Sequence, residues 1–223
     1  MQKEKVVSLL TRFRPLVQAG FAVYNHLPFQ NKLHAKLRCG LSYLRNCTIV
    51  SSGEDNLVQI GDFSRLRGCT IRIGGNHNRV IIDDFCYCAN TGIYIEDDNN
   101  LVHIGTHNML SGKVELSAIE GTKIEIGEDG MFSDGILIRT GDSHVILDKT
   151  TGQRVNPSQD ISIGSHVWVG TRVTMLKGTV VPDHCVVGAN ALLCKKYNQP
   201  NCALAGNPAR VVRENIDWQR ERK

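Results

Sequence analysis

Aliphatic residues recur along this chain at a fixed step, and that recurrence restricts its fold more than any other feature. Ile163, Val169, Met175, Val181, Val187 and Leu193 stand six residues apart. Upstream, Ile60, Ile82, Ile104 and Ile126 stand 22 apart, three of them followed by glycine and Ile82 by Asp83. A fixed internal period means stacked, near-identical units. Six matches neither the helical period nor the two-residue strand period. It suits a short extended segment, a tight corner and another short segment, with one aliphatic side chain per step turned inward. The pattern predicts an all-β chain wound as a parallel β-helix.

The bulk properties agree with that expectation and exclude several others. At 223 residues the chain suits one large domain, or one domain with appendages. Twenty-one glycines fit many tight corners, where a positive φ costs glycine little. A formal charge of +4 is too small to argue for a nucleic-acid partner. No apolar run approaches the ~20 residues of a membrane helix. Met1–Leu10 carries Lys3, Glu4 and Lys5 before a very short apolar run, which is unlike a signal peptide. The expected compartment is the cytoplasm, and there eight cysteines need not pair. Cys88 occupies a ladder phase filled by Leu66, Leu110 and Phe132 in neighbouring repeats, where a thiol serves as a small buried hydrophobe. Cys86-x-Cys88 lacks zinc spacing, and no metal is expected.

The chain reads in four parts. Residues 1–46 carry none of the repeat. Val6, Leu9, Leu10, Phe13, Leu16 and Val17 follow helical spacing beside Lys5, Arg12 and Arg14, which predicts a helical cap on one end of the solenoid. The same basic segment is a candidate for peripheral contact with the inner face of a membrane. Residues 47–199 form the solenoid, with coils of 22 residues as far as residue 147, four more than three hexads need. The surplus is expected in a widened corner, with Asn76, Asn78, Asn99 and Asn100 suited to left-handed conformations there. Residues 148–160 break the period and predict an inserted surface loop, a place that often carries function. Residues 200–223 hold the turn Gly206-Asn207-Pro208 and then a predicted short helix with Arg210, Arg213 and Trp218.

The segment ISIGSHVWVGTRVTMLKGTVVPDHCVVGANALLCKK, followed by AGNPARVV, resembles the C-terminal half of hexapeptide-repeat acyltransferases. The stretch FSDGILIRTGDSHVILDKTTGQRVNPSQDISIGSHVWVG is similar to bacterial capsule, exopolysaccharide and polysialic acid O-acetyltransferases. The likeness is greatest over 124–213, weaker over 47–123 and absent over 1–46. It implies a left-handed parallel β-helix assembled as a homotrimer with sites between subunits. It also implies acetyl-CoA as co-substrate and a carbohydrate acceptor. An acetyl thioester is already activated, whereas a sugar hydroxyl needs a base to take its proton during attack, and histidine titrates near physiological pH.

By this resemblance His144 is the base, because the family's catalytic histidine lies 24 residues before a tryptophan, here Trp168. Trp168 would line the cleft between subunits. The backbone N–H of Thr171 would face the oxyanion. Asp142 would orient His144 or contact the sugar. Pantetheine would run beside Gly170 and Ala189, and Lys195, Lys196, Arg210 and Arg213 would meet the phosphates of coenzyme A. Three other readings compete. A β-helix metalloenzyme would use His77, His103 and His107 on zinc. A non-catalytic carbohydrate-binding solenoid explains the ladder but not the basic tail. Within the acyltransferases, an amine acceptor on an amino sugar or nucleotide sugar is the alternative.

Overall fold

The aliphatic ladder becomes the inner wall of a three-sided parallel solenoid, seen in a computed structural model that describes Arg14 and residues 33–221. The first face stacks the end of Thr48–Ile60, then Arg79–Ile82, Leu101–Ile104, Lys123–Ile126, Ile161–Ile163 and Val180–Val181. The second stacks Tyr43–Arg45, Arg65–Arg67, Tyr87–Ala89, Met109–Ser111, Met131–Phe132, Trp168–Val169, Val186–Val187 and Cys202–Gly206. The third stacks the start of Thr48–Ile60, then Thr70–Ile73, Gly92–Ile95, Val114–Ala118, Ile136–Arg139, Thr174–Met175 and Leu192–Leu193. On the first face Ile60, Ile82, Ile104, Ile126, Ile163 and Val181 lie in register, all buried, although the chain between them is 22, 37 or 18 residues long. Inward residues alternate with outward ones, so every coil contributes apolar side chains, mostly aliphatic, from each face to a single core.

The corners explain how such short strands can turn. Between the first and second faces every coil after the first passes through a left-handed residue: Phe63, Phe85, His107, Asp129, His166, His184 and Asn201, with φ between 53° and 59°. Their side chains therefore stack along one edge, as the ring pairs Phe63–Phe85 and Phe85–His107 show at 5.2 and 4.9 Å. The widened corner lies between the third and first faces, at residues 52–56, 74–78, 96–100 and 119–122. There the sequence expectation needs correction. Of the four asparagines only Asn99 is left-handed, and His77 takes the position expected of its neighbours. Asn78 and Asn100 are buried with Asn56 in an inner amide ladder. Asn78 N–H donates to Asn56 Oδ1 at 2.9 Å, and Asn100 N–H donates to Asn78 Oδ1 at 2.8 Å. Each amide satisfies a corner N–H that no strand reaches, which is why a polar group is tolerated inside.

Three boundaries also move. Leu33–Cys39 and Tyr43–Arg45 are strands already paired with the solenoid, so residues 33–46 belong to it rather than to a helical cap. The rest of the expected cap, and its proposed membrane contact, fall outside the described residues apart from Arg14, whose guanidinium meets Asp62 at 3.1 Å. The expected C-terminal helix is instead the strand Ala209–Glu214, which turns back at Gly206-Asn207-Pro208 and pairs antiparallel with Cys202–Gly206. Val211 and Val212 favour an extended chain, and the exposed edge of the last coil offers unpaired backbone for it to join. The inserted loop starts earlier than residue 148, since the third-face strand ends at Arg139 and the first face resumes at Ile161. All eight cysteines are free thiols, and Cys86 and Cys88 are buried as the ladder required. Burial pushes the Cys86 thiol up to about 11, which keeps it protonated and unreactive.

Candidate active site

His144 stands on the hairpin that leaves the solenoid at the corner between its third and first faces. The excursion closes on itself through an antiparallel bridge between Leu147 and Arg154. It is held at its base by one residue that the sequence reading missed. Asn156, buried, donates through Nδ2 to the carbonyl of His144 at 2.8 Å and to Asp142 Oδ2 at 2.9 Å. Its Oδ1 accepts from Ile146 N–H at 2.7 Å. Asp142 also forms an ion pair with Lys177, and these two partners, Lys177 first, hold its carboxyl below the usual range. Arg154 forks onto Glu120 at 2.7 and 3.0 Å. That pairing, with Ser158 in support, draws the Glu120 carboxyl down to about 2. The backbone at His144 is therefore fixed on both sides, while its imidazole is exposed and makes no hydrogen bond to any described residue. Asp142 does not touch the ring; it fixes the strand that carries it. The only cue in the sequence was the Asn156-Pro157 step inside the insertion, a pair typical of turns.

These contacts make Asn156 a positioning residue. Asn156→Ala is expected to lower kcat by about tenfold to a hundredfold, because a shift of about 1 Å in a reacting group costs that order of rate. The KM for the acyl donor should stay near wild type, and steady-state kinetics on a folded variant would read the split. A fall in donor affinity with kcat unchanged would assign Asn156 a different role.

Trp168 and Thr171 are placed elsewhere on the prism. Trp168 points outward from the second face, 38% exposed, with its ring 6.2 Å from that of Trp218. Thr171 follows at the corner between the second and third faces, where its N–H donates to no described group and its hydroxyl donates to Asp134 O at 2.8 Å. Gly170 and Ala189 stack at that same corner in successive coils. A Cβ on Gly170 would lie 2.8 Å from Ala189 N, so the glycine is required by coil packing alone. The width of the third face separates this corner from His144. One chain thus presents the two halves of the expected site on different edges and does not bring them together.

The four expected phosphate contacts also divide. Lys195 and Lys196 are exposed at the His144 corner, one coil beyond Lys177, with Lys195 Nζ 5.4 Å over the Tyr197 ring. Arg210 and Arg213 sit on the antiparallel edge strand opposite Ala205 and Ala203. The histidines of the metalloenzyme reading are dispersed: His77 meets Asp55 at the widened corner, His103 meets Asp83 on the first face, and His107 stacks on Phe85. A cleft of about 510 Å³ opens on the first face and is lined by Asp83, Glu125, Glu128 and Asp183. Its acidic wall is unsuited to a polyanionic coenzyme, and neither His144 nor Trp168 borders it.

Comparison with known proteins gives this geometry its family. No family model matches the chain. A polysialic acid O-acetyltransferase of Neisseria meningitidis is 34% identical over 110 residues, 49% of this chain and 51% of that protein. A polysialic acid O-acetyltransferase of Escherichia coli O1:K1 is 30% identical over 132 residues, 59% of this chain and 42% of that protein. The chain thus aligns with only about half the length of these curated relatives. The crystal structure of the polysialic acid O-acetyltransferase OatWY matches far more fully, with a TM-score of 0.82 and 31% identity over 87% of this chain and 92% of that one. That of the polysialic-acid-specific acetyltransferase NeuO matches with a TM-score of 0.58 and 26% identity over 85% and 91%. The chain belongs to the hexapeptide-repeat, left-handed β-helix acyltransferases.

Proposed function

We propose that this protein is an acetyl-CoA-dependent O-acetyltransferase that acts on a sugar hydroxyl of a bacterial cell-surface polysaccharide or its precursor. The observation that carries the reading is the imidazole of His144, which has no hydrogen-bond partner among the described residues, on a hairpin whose backbone Asn156, Asp142 and Lys177 fix. Its relatives named as polysialic acid O-acetyltransferases supply the reaction class and the acceptor class. His144 takes the hydroxyl proton as the sugar oxygen attacks the thioester carbonyl. The N–H of Thr171 stabilises the resulting oxyanion, and collapse expels the coenzyme A thiolate, which receives the proton back from His144.

Because His144 stands beyond the third face and Trp168 on the second face of one prism, the site is completed between subunits of a homotrimer. The hairpin supports this assembly: Val145, Ile146, Leu147 and Val155 are each more than half exposed on it. Four such side chains on one projecting element are a surface made to be covered. An edge of one copy meeting a face of the next is a heterologous contact, which closes as a ring of three when each contact turns the chain by a third of a revolution.

Two measurements test the proposal. Mass spectrometry of candidate anionic glycans incubated with acetyl-CoA should show a gain of one acetyl group, and an unmodified panel alongside rapid thioester loss to an amino sugar would redirect the acceptor. Replacing Lys195 and Arg210 together should raise the KM for acetyl-CoA about tenfold with kcat little changed, since each phosphate contact contributes to ground and transition states alike. An unchanged KM would place the phosphates away from these residues.

A further inference from the structure

At the corner between the first and second faces, successive 18-residue coils place His166 directly before His184, their rings 5.3 Å apart. The C-terminal segment beyond the edge strand returns to this corner and lays Asp217 and Trp218 against it. Donor atoms of His166, His184 and Asp217 all lie within 4.8 Å of one another. We propose that His166, His184 and Asp217 bind a divalent metal ion of the zinc type, which clasps the C-terminal segment to the solenoid.

The orientation of His166 carries the argument. Its Nδ1 meets Asp129 Oδ2 at 2.6 Å, the carboxylate one coil below, and in that pairing the proton on Nδ1 faces the acid. A carboxylate behind a ligating histidine is the usual arrangement for fixing the ring and raising its basicity. Nε2 then faces two oxygens, Trp218 O at 3.0 Å and Asp217 Oδ1 at 3.4 Å. A bare lone pair between two oxygens is repelled, so either a proton or a metal ion must sit there. Bonds of 2.0–2.2 Å to nitrogen and oxygen in a tetrahedral site imply ligand-to-ligand separations of about 3.3 Å. The separation from Nε2 to the ligand oxygen Asp217 Oδ1 meets that value, and the Trp218 carbonyl stands close enough to be a fourth donor. Imidazole nitrogen with carboxylate and carbonyl oxygen is a donor set for zinc, cobalt or nickel rather than for calcium.

The competing occupant is a proton, which would make His166 an imidazolium shared between Asp129 and Trp218. Burial disfavours that charge while Asp129 and the Trp218 carbonyl favour it more, so the ring is held above its ordinary value. The metal differs in needing His184, which makes no hydrogen bond through its ring to any described residue. It differs also in having a structural effect: Trp218 stacks on His166 at 4.3 Å and its Nε1 donates to His166 O at 2.8 Å. An ion here would set the floor on which Trp168 leans.

Calorimetric titration of chelator-stripped, full-length protein with zinc chloride tests the site. One ion per chain should bind at micromolar or tighter dissociation constant, and cobalt(II) should give the intense visible absorption of a four-coordinate centre. His184→Ala and Asp217→Asn, both at exposed positions, should each weaken binding at least about tenfold, and Asp129→Ala by about tenfold to a hundredfold through the lost support of His166. His77→Ala, on another corner, should bind as wild type. Zinc should also slow tryptic cleavage of the C-terminal segment in the wild type but not in His184→Ala. Binding only at millimolar zinc, equal binding by His184→Ala, or a segment that loosens with rising pH but ignores chelator would each overturn the proposal in favour of the proton.

Discussion

His144→Ala is expected to lower kcat/KM by about a hundredfold to ten-thousandfold, the range that a positioned general base contributes. The loss should fall on kcat, with the KM for acetyl-CoA close to wild type, because the proposed role of the imidazole is toward the acceptor's proton rather than the coenzyme. The structure separates this chemical loss from a folding loss. Asn156 holds residue 144 through its backbone carbonyl, and the ring makes no hydrogen bond or ion pair with any described residue, so alanine removes no bond that supports the hairpin. The variant should therefore show the wild-type circular dichroism, thermal midpoint and sedimentation. Steady-state acetyl transfer monitored by free thiol release reads the effect directly. A kcat within about threefold of wild type would remove His144 from the role of base. A matching loss in Asp142→Asn would not, since Asp142 acts by pairing with Lys177 and Asn156 and so places the same backbone.

The solenoid was legible because its determinant is a period, and a period survives in one dimension. Ile60 and Ile82 announce the first face without any knowledge of what lies between them, and the excess of four residues per coil located the widened corner. His144 was singled out by its match to the family's catalytic histidine, and the hairpin that carries it begins where the register fails. What failed was whatever depends on hydrogen bonds between coils. Asn78 and Asn100 look like turn residues, yet their amides are drawn inside by the N–H groups stacked above and below. Asn156 makes its contacts with residues 142, 144 and 146 only because the insertion doubles back, and no periodicity records a single hairpin. The segment after Gly206-Asn207-Pro208 was expected to be a short helix carrying Arg210, Arg213 and Trp218, but the last coil's open edge supplies a pairing partner that local propensity cannot see. The tail's four basic residues appeared as one cluster because they are near in sequence, whereas the antiparallel turn sends two of them to another face.

Phe132→Ala is expected to cost about 3–5 kcal/mol, the range for deleting a fully buried aromatic ring. Phe132 heads the largest fully buried side chains of the core and lies in register between Leu110 and Val169 on the second face. Gly130 makes the space for it: a Cβ there would come within 2.8 Å of the ring. In a stacked solenoid each coil touches only its neighbours, so the cavity cannot be closed by movement elsewhere. The coil above is short and strict, with two-residue strands at Trp168–Val169, and has little slack with which to collapse inward. Its outward residue, Trp168, pairs in register with Met131, so the same lesion loosens the rung that carries Trp168. Urea denaturation at fixed protein concentration should show a lower midpoint with the slope unchanged, and residual activity should fall at temperatures well below that midpoint. Phe132→Leu, which refills part of the volume, should recover most of both. A loss under about 1 kcal/mol would mean that the stack can absorb a missing ring, and the assumption of a rigid rung beneath Trp168 would fail with it.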